Sequence, residues 1–121
     1  MDILFLDDDE ERCTAFLKKN ANVVIVHTAM DAILALQEKY YWDYVFLDHD
    51  LGGYDDGMTV VEWIVTNRPH IGQMFIHSWN PPAADMMTNT LKNNGYPAFQ
   101  EPFGKDTPDL VNLFKNPIHS W

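Results

Sequence analysis

Four short runs of aliphatic, β-branched and aromatic residues, Ile3-Leu4-Phe5-Leu6, Val23-Val24-Ile25-Val26, Tyr44-Val45-Phe46-Leu47 and Met74-Phe75-Ile76, recur along the chain, each followed by a helix-length stretch. A strand that is apolar on both faces has to be covered on both faces, and a parallel sheet wrapped by helices does this. The alternation therefore predicts βαβ units in an α/β fold. With 121 residues and 46% hydrophobic content, one compact domain over residues 1–121 is expected, with five strands and five helices.

The first strand is expected over Asp2 to Leu6, and the helix after it opens near Asp9, where Asp9, Glu10 and Glu11 suit a helix amino terminus. Asn20-Ala21-Asn22 breaks that helix, and the second strand follows from Val23 to His27. Thr28 can cap the next helix, whose apolar face is read as Ala29, Ile33, Leu34 and Leu36. The third strand is placed at Tyr44 to Leu47, and a loop from Asp48 to Asp56 leads into a helix through Met58, Val61, Trp63 and Ile64 that Pro69 ends. The fourth strand is placed at Met74 to His77, Pro81-Pro82 open a helix that Asn93-Asn94-Gly95 stops, and a short strand lies near Ala98 and Phe99. A last helix is expected from about Pro108 to Lys115.

A formal net charge of -10 argues against a long nucleic-acid tract as partner, because phosphate tracts are bound by clustered Lys and Arg. A small phosphorylated ligand, or a nucleic-acid end gripped through a metal ion, is compatible with that charge. The stretch Met1 to Asp7 lacks the basic start and long apolar run of a signal peptide, and no run approaches membrane-spanning length. The lone Cys13 allows no intramolecular disulfide. A cytoplasmic protein with no membrane partner is the expectation.

Asp7-Asp8 follow directly on the first run, and Asp48 follows directly on the third. Ligands of open α/β sheets sit outside the carboxyl ends of the strands. If these two strands are neighbours, three carboxylates crowd together there and repel unless a divalent cation holds them. Oxygen-only ligands suit Mg²⁺ or Mn²⁺. The plainer reading, acidic residues as helix caps, is available to Asp9 and leaves Asp48 unexplained.

With these residues, a hydroxyl after the fourth strand and an X-Pro-Phe string after the fifth, the chain resembles the receiver domains of response regulators over nearly its whole length. Asp7 and Asp8 lie at that family's acidic pair, Asp48 at its phosphoacceptor, Asp56-Gly57 at its Asp-Gly start of the third helix, and Ser78 at its Ser/Thr. The resemblance implies a doubly wound, flavodoxin-like parallel sheet of order 2-1-3-4-5. It also implies a metal site of Asp7, Asp8 and Asp48, completed by the backbone carbonyl of Asp50. Glu101-Pro102-Phe103 lies where receivers have Lys-Pro-Phe. The family's lysine pairs with the phosphoryl group, so Glu101 counts against signalling through phosphorylated Asp48.

Two strings depart further from ordinary receivers: Leu47-Asp48-His49-Asp50-Leu51-Gly52-Gly53 and His77-Ser78-Trp79-Asn80. In them the chain looks like the cyclic-phosphate-processing receiver domains of bacteria and bacteriophages. Opening a cyclic phosphate needs charge neutralisation, an activated water and a proton for the leaving alkoxide. The metal serves the first two, and His49 and His77 are the natural proton donor and acceptor. Ser78 and Asn80 could donate hydrogen bonds to phosphate oxygens, and Trp79 could stack on a base. The bland readings make His49 and His77 hydrogen-bonded loop-edge residues and Trp79 a packing residue. His27, His70 and His119 are read as surface residues, Cys13 as core-facing, and Asp55 and Asp56 as loop and cap residues.

A metal-dependent phosphodiesterase acting on a 2′,3′-cyclic RNA end or a cyclic nucleotide accounts best for the carboxylates, the histidines and the missing lysine together. The alternatives are a receiver phosphorylated on Asp48 and a degenerate receiver used as a binding module.

Overall fold

The structure is a computed structural model that describes residues 1–100. Glu101-Pro102-Phe103, the helix expected over Pro108 to Lys115, and His119 lie outside the described residues. The elements are β1 (Ile3–Leu6), α1 (Glu10–Lys19), β2 (Val23–Val26), α2 (Ala29–Gln37), β3 (Tyr41–Leu47), α3 (Gly57–Asn67), β4 (His70–Ile76), α4 (Pro81–Asn93) and β5 (Ala98–Gln100). All neighbouring strands pair in parallel, in the order β2-β1-β3-β4-β5. This is the flavodoxin-like order that the receiver resemblance implied.

Each helix starts at a residue suited to satisfy its orphan amides. Asp9, Thr28, Asp56 and Asn80 accept from the backbone N–H of Arg12, Asp31, Thr59 and Ala83 at 3.0, 3.1, 3.1 and 3.3 Å. Asp55, beside the α3 cap, accepts from Ala29 N at 2.9 Å and so ties the β3–α3 loop to the start of α2.

Alternation along the strands divides the core into two layers. Leu4, Leu6, Val45, Leu47, Met74 and Ile76 point towards α2, α3 and α4, where Val60, Val61, Ile64, Met87 and Leu91 meet them. Ile3, Phe5, Phe46 and Phe75 point the other way, onto Cys13 and Phe16 of α1, and Phe5 stacks on Phe16 with ring centroids 4.3 Å apart. Each such side chain contributes about 1.5–3 kcal/mol by leaving water.

Several element boundaries differ from the sequence expectation. β3 and β4 begin at Tyr41 and His70, and their first residues pair as Tyr41 with His70 and Trp42 with Ile71. The polar and glycine residues Asp43, Gly72 and Gln73 hide this extension from a pattern reading. Asp43 earns its place by accepting from Asp2 N at 2.7 Å. A Cβ on Gly72 would stand 2.7 Å from Asp43 O and 2.5 Å from the Tyr41 hydroxyl. His27 and His77 lie just beyond β2 and β4 rather than within them. α2 buries Ala29, Ala32, Ala35 and Leu36 and turns Leu34 outward, 52% exposed. Its packing stripe runs through small alanines, which let the helix approach the sheet closely, so reading the larger Leu34 as inward was wrong. No helix among the described residues is long and apolar enough to cross a membrane.

Candidate functional site

The parallel register builds the site. Leu6, Leu47 and Ile76 are partners across β1, β3 and β4, so the next residues, Asp7, Asp48 and His77, stand side by side just past the strand ends. The ladder continues one step to hold them, with Asp48 N donating to Leu6 O at 3.1 Å and His77 N to Leu47 O at 3.0 Å. Side chains on successive strand residues alternate in direction, so these three turn towards the α1 side of the sheet. There His77 stacks on Phe5, with ring centroids 4.9 Å apart. One ligand atom from each of Asp7, Asp48 and His77 lies within 4.8 Å of the other two, and all three residues are buried.

Asp7 is saturated with donors. Its Oδ1 accepts from Asp9 N at 2.8 Å and Arg12 Nη2 at 2.9 Å, and its Oδ2 from Arg12 Nε at 2.7 Å and His77 Nε2 at 3.1 Å. Burial alone would push its carboxyl up, but the bonds from His77 and Arg12 outweigh it and hold Asp7 well below the usual carboxylate range. Burial dominates at His77 and pushes its pKa down despite Asp7, because Arg12 already compensates that carboxylate. Since ionised Asp7 can only accept, His77 Nε2 carries the proton of their bond.

Asp48 is the opposite case. Its Oδ1 accepts from His49 N at 2.8 Å, whereas Oδ2 has only a 3.4 Å contact to Arg12 Nη2. Burial, and next the charge of Asp7, push its carboxyl up to about 7 in spite of Arg12. That is a carboxylate in want of a cation.

The remaining site residues form a rim. Asp8 is exposed, and its Oδ2 lies 3.4 Å from where a Cβ on Gly52 would sit. Among the described residues the tight cluster is thus Asp7, Asp48 and His77, where the carboxylates Asp7, Asp8 and Asp48 had been expected. The register brings His77 into the cluster, and Asp8 stands exposed at its edge. Asp50 forms an isolated bridge with Asp56, and its Oδ1 meets His49 Nδ1 at 2.8 Å. Ser78 is buried, and its Oγ accepts from Asn80 N at 3.1 Å, while Asn80 spends its Oδ1 on capping α4. Trp79 is 62% exposed, so the packing reading does not hold for it. His27, read as a surface residue, is exposed, yet its Nδ1 lies 3.0 Å from Asp7 O. Cys13 is buried, donates to the same carbonyl at 3.4 Å, and has its thiol pushed up to about 12 by burial and then by Asp7.

One charged residue of the site escaped the sequence reading. It is Arg12, although an arginine directly after the acidic run Asp7-Asp8-Asp9-Glu10-Glu11 was a visible signal. Gly57 N donates to His49 O at 2.8 Å, and a Cβ on Gly57 would fall 2.0 Å from Asp48 O, so only glycine lets α3 start against the Asp48 backbone.

The donor set fits a hard divalent cation. Asp7 and the His77 Nε2 proton are committed to one another and to Arg12, which leaves Asp48 and the exposed Asp8, with the Asp50 carbonyl, as the oxygen atoms that would hold it.

Receiver domains are among the solved structures with the same fold. The chain superposes on the response regulator receiver domain protein from Methanospirillum hungatei with a TM-score of 0.70 and 17% identity, covering 96% of this chain and 91% of that one. For the signal receiver domain of an HD domain-containing protein from Pseudomonas fluorescens the TM-score is 0.69, with 18% identity over 95% and 91% of the two chains. For the receiver domain of Francisella response regulator 1452 it is 0.68, with 17% identity over 98% of each. No curated protein matches the chain in sequence. Receiver domains bind Mg²⁺ at their acidic pocket, where this chain has its Asp-Asp-His cluster. The profile of the cyclic-phosphate processing receiver domain matches residues 2–93, and the chain belongs to that family.

Proposed function

We propose that the cleft at the ends of β1, β3 and β4 hydrolyses a cyclic phosphate, either a 2′,3′-cyclic RNA end or a cyclic nucleotide, with the help of Mg²⁺ or Mn²⁺. The observation that carries this reading is the in-register Asp7, Asp48 and His77 cluster with His49 at its rim. A phosphoacceptor pocket needs its carboxylates, whereas breaking a phosphodiester also needs a proton for the leaving oxygen.

A bound divalent cation would neutralise the non-bridging oxygens and lower the pKa of a water. His49, only partly buried and bonded through Nδ1 to Asp50, would protonate the leaving alkoxide. His77 is sealed between Phe5 and Asp7 and serves as a positioning residue, since it fixes the orientation of Asp7. The Ser78 hydroxyl, whose oxygen already accepts from Asn80 N, has its hydrogen available for a phosphate oxygen. Trp79 offers an exposed face for a base. In the reaction, water adds to phosphorus, the bond from phosphorus to one ring oxygen breaks, and that oxygen takes up a proton. The product is a phosphate monoester with a free hydroxyl.

A second reading, phosphoryl transfer to Asp48, is favoured by the receiver fold and by the place of Asp48 at the end of β3. One pair of measurements separates the two. Cyclic mononucleotides and cyclic-phosphate-ended RNA are incubated with the protein and Mg²⁺ or Mn²⁺ and followed by chromatography, while acetyl phosphate and beryllofluoride are offered to Asp48. Turnover with Asp48 little modified supports hydrolysis. Stable stoichiometric phosphorylation of Asp48 without turnover would establish the signalling reading in its place.

A further inference from the structure

Arg12 grips Asp7 with two short bonds, through Nε at 2.7 Å and Nη2 at 2.9 Å, and touches Asp48 Oδ2 only at 3.4 Å and Asp9 Oδ2 at 3.6 Å. The first pair anchors the guanidinium, and the last two are long contacts that are easily exchanged. The side chain is 27% exposed, although the Asp7 and Asp48 side chains beside it are 0% and 6% exposed. Its outer edge therefore borders the cleft while its inner edge is fixed. Among the described residues Arg12 is the permanently charged cation in contact with the cluster. A phosphate anion approaching Asp7, Asp8 and Asp48 meets carboxylates at the tips of β1 and β3 and needs such a group. In sequence, Glu101 stands where receivers carry the lysine that pairs with the phosphoryl group. A planar guanidinium fork also matches two phosphate oxygens at once, as an ammonium does not.

We propose that Arg12 is the phosphate-recognising residue of the cleft: anchored on Asp7 through Nε and Nη2, it gives its remaining Nη hydrogens, now in long contact with Asp48 and Asp9, to the non-bridging oxygens of a phosphate ester lying beside Asp48. With a divalent cation on Asp48, the 3.4 Å contact would lose its partner, and the second Nη2 hydrogen would be free for the ligand while the first stays on Asp7. The proposal rests on the reading of this cleft as a phosphate site, and holds whichever bond to phosphorus is broken.

The experiment is calorimetric titration of the full chain with inorganic phosphate in saturating Mg²⁺, for wild type, Arg12→Lys and Arg12→Ala, with the Mg²⁺ affinity and melting temperature of each. Arg12→Lys keeps a cation against Asp7 and lacks the second arm, so it decides the matter if Arg12→Ala fails to fold. Arg12→Lys should stay folded, bind Mg²⁺ at least as well as wild type, and lose phosphate affinity on the order of tenfold or more. Phosphate affinity unchanged in folded Arg12→Lys overturns the proposal. Wild type that binds Mg²⁺ but no phosphate overturns it together with the reading of the cleft. Arg12-dependent phosphate binding without turnover of any cyclic phosphate upholds the proposal and removes the hydrolase reading alone.

Discussion

Leu6, Leu47 and Ile76 lie side by side across three strands, and one residue further on lie Asp7, Asp48 and His77. The two rows are equally buried, at 0%, 0% and 1% exposure for the first and 0%, 4% and 1% for the second. In the apolar row burial is itself the stabilising term. In the polar row it is a cost, offset only where donors and charges meet each oxygen. Asp7 meets that condition with four donors and Asp48 does not, having one short bond and one long contact. The strand tips are therefore not uniformly strained. Asp7 is part of the scaffold, and Asp48 is the place where the fold holds back stability that a bound cation would return.

Removing Arg12 should break this contrast most severely. Arg12→Ala leaves Asp7 buried without its guanidinium, and urea denaturation of the metal-free protein should show a loss of about 3–5 kcal/mol. That is the range of about 2–5 kcal/mol expected for Leu47→Ala one residue before Asp48. A loss under about 1 kcal/mol, the scale of a surface pair, would mean that Asp7 does not depend on Arg12.

The histidines should separate next. His49→Ala should lower kcat/KM on a cyclic-phosphate substrate on the order of a hundredfold while leaving the melting temperature nearly unchanged. His77→Ala should lower the melting temperature as well, because it opens a cavity against Phe5 and takes a donor from Asp7. Equal thermal losses in the two variants would contradict the division into a rim histidine and a buried one.

Asp48→Asn should act in the reverse direction. In metal-free protein above pH 7 it should be stabilising by about 1–2 kcal/mol, seen as a melting temperature roughly 4 °C or more higher. Calorimetry should show Mg²⁺ affinity falling in the same variant. A drop in melting temperature, or unchanged Mg²⁺ affinity, would show that Asp48 has another partner.

The smallest effect is the pH dependence of that gain. The Asp48 carboxyl is pushed up to about 7, above its unfolded value, so its contribution is fully present below about pH 4 and is lost as pH rises through about 7. Asp7, held below its unfolded value, runs the other way and loses its contribution only as the solution becomes strongly acidic. His77, pushed down by burial, gains stability as pH rises towards its unfolded value and opposes Asp48 over part of the window. The difference between wild type and Asp48→Asn isolates the Asp48 share. That difference should grow steadily from pH 4 to 7 in chemical denaturation, and a flat difference would mean that Asp48 is ionised throughout.

Much of this was legible before folding. The apolar runs ending at Leu6, Leu47 and Ile76 marked strands, Asp9, Thr28 and Asp56 marked helix starts, and Asp7, Asp8 and Asp48 announced a charged edge, because hydrophobic period, caps and strand ends are local properties of consecutive residues. The early starts of β3 and β4 were not legible, since Asp43 and Gly72 are explained only by Asp2 and by Tyr41 on other parts of the chain.

What the sequence by itself determined is the α/β alternation and the kinds of group the strand ends carry. Which of those groups meet was decided by the tertiary structure. Register across β1, β3 and β4 places His77 beside Asp7 and leaves Asp8 at the exposed edge, and α1, packed through Phe16 on Phe5, carries Arg12 to both carboxylates. The physical reason is one of distance. Propensity and capping act over a few residues, whereas the charge state of Asp48 depends on burial by the whole sheet and on partners 36 and 41 positions away in the chain, Arg12 and Asp7.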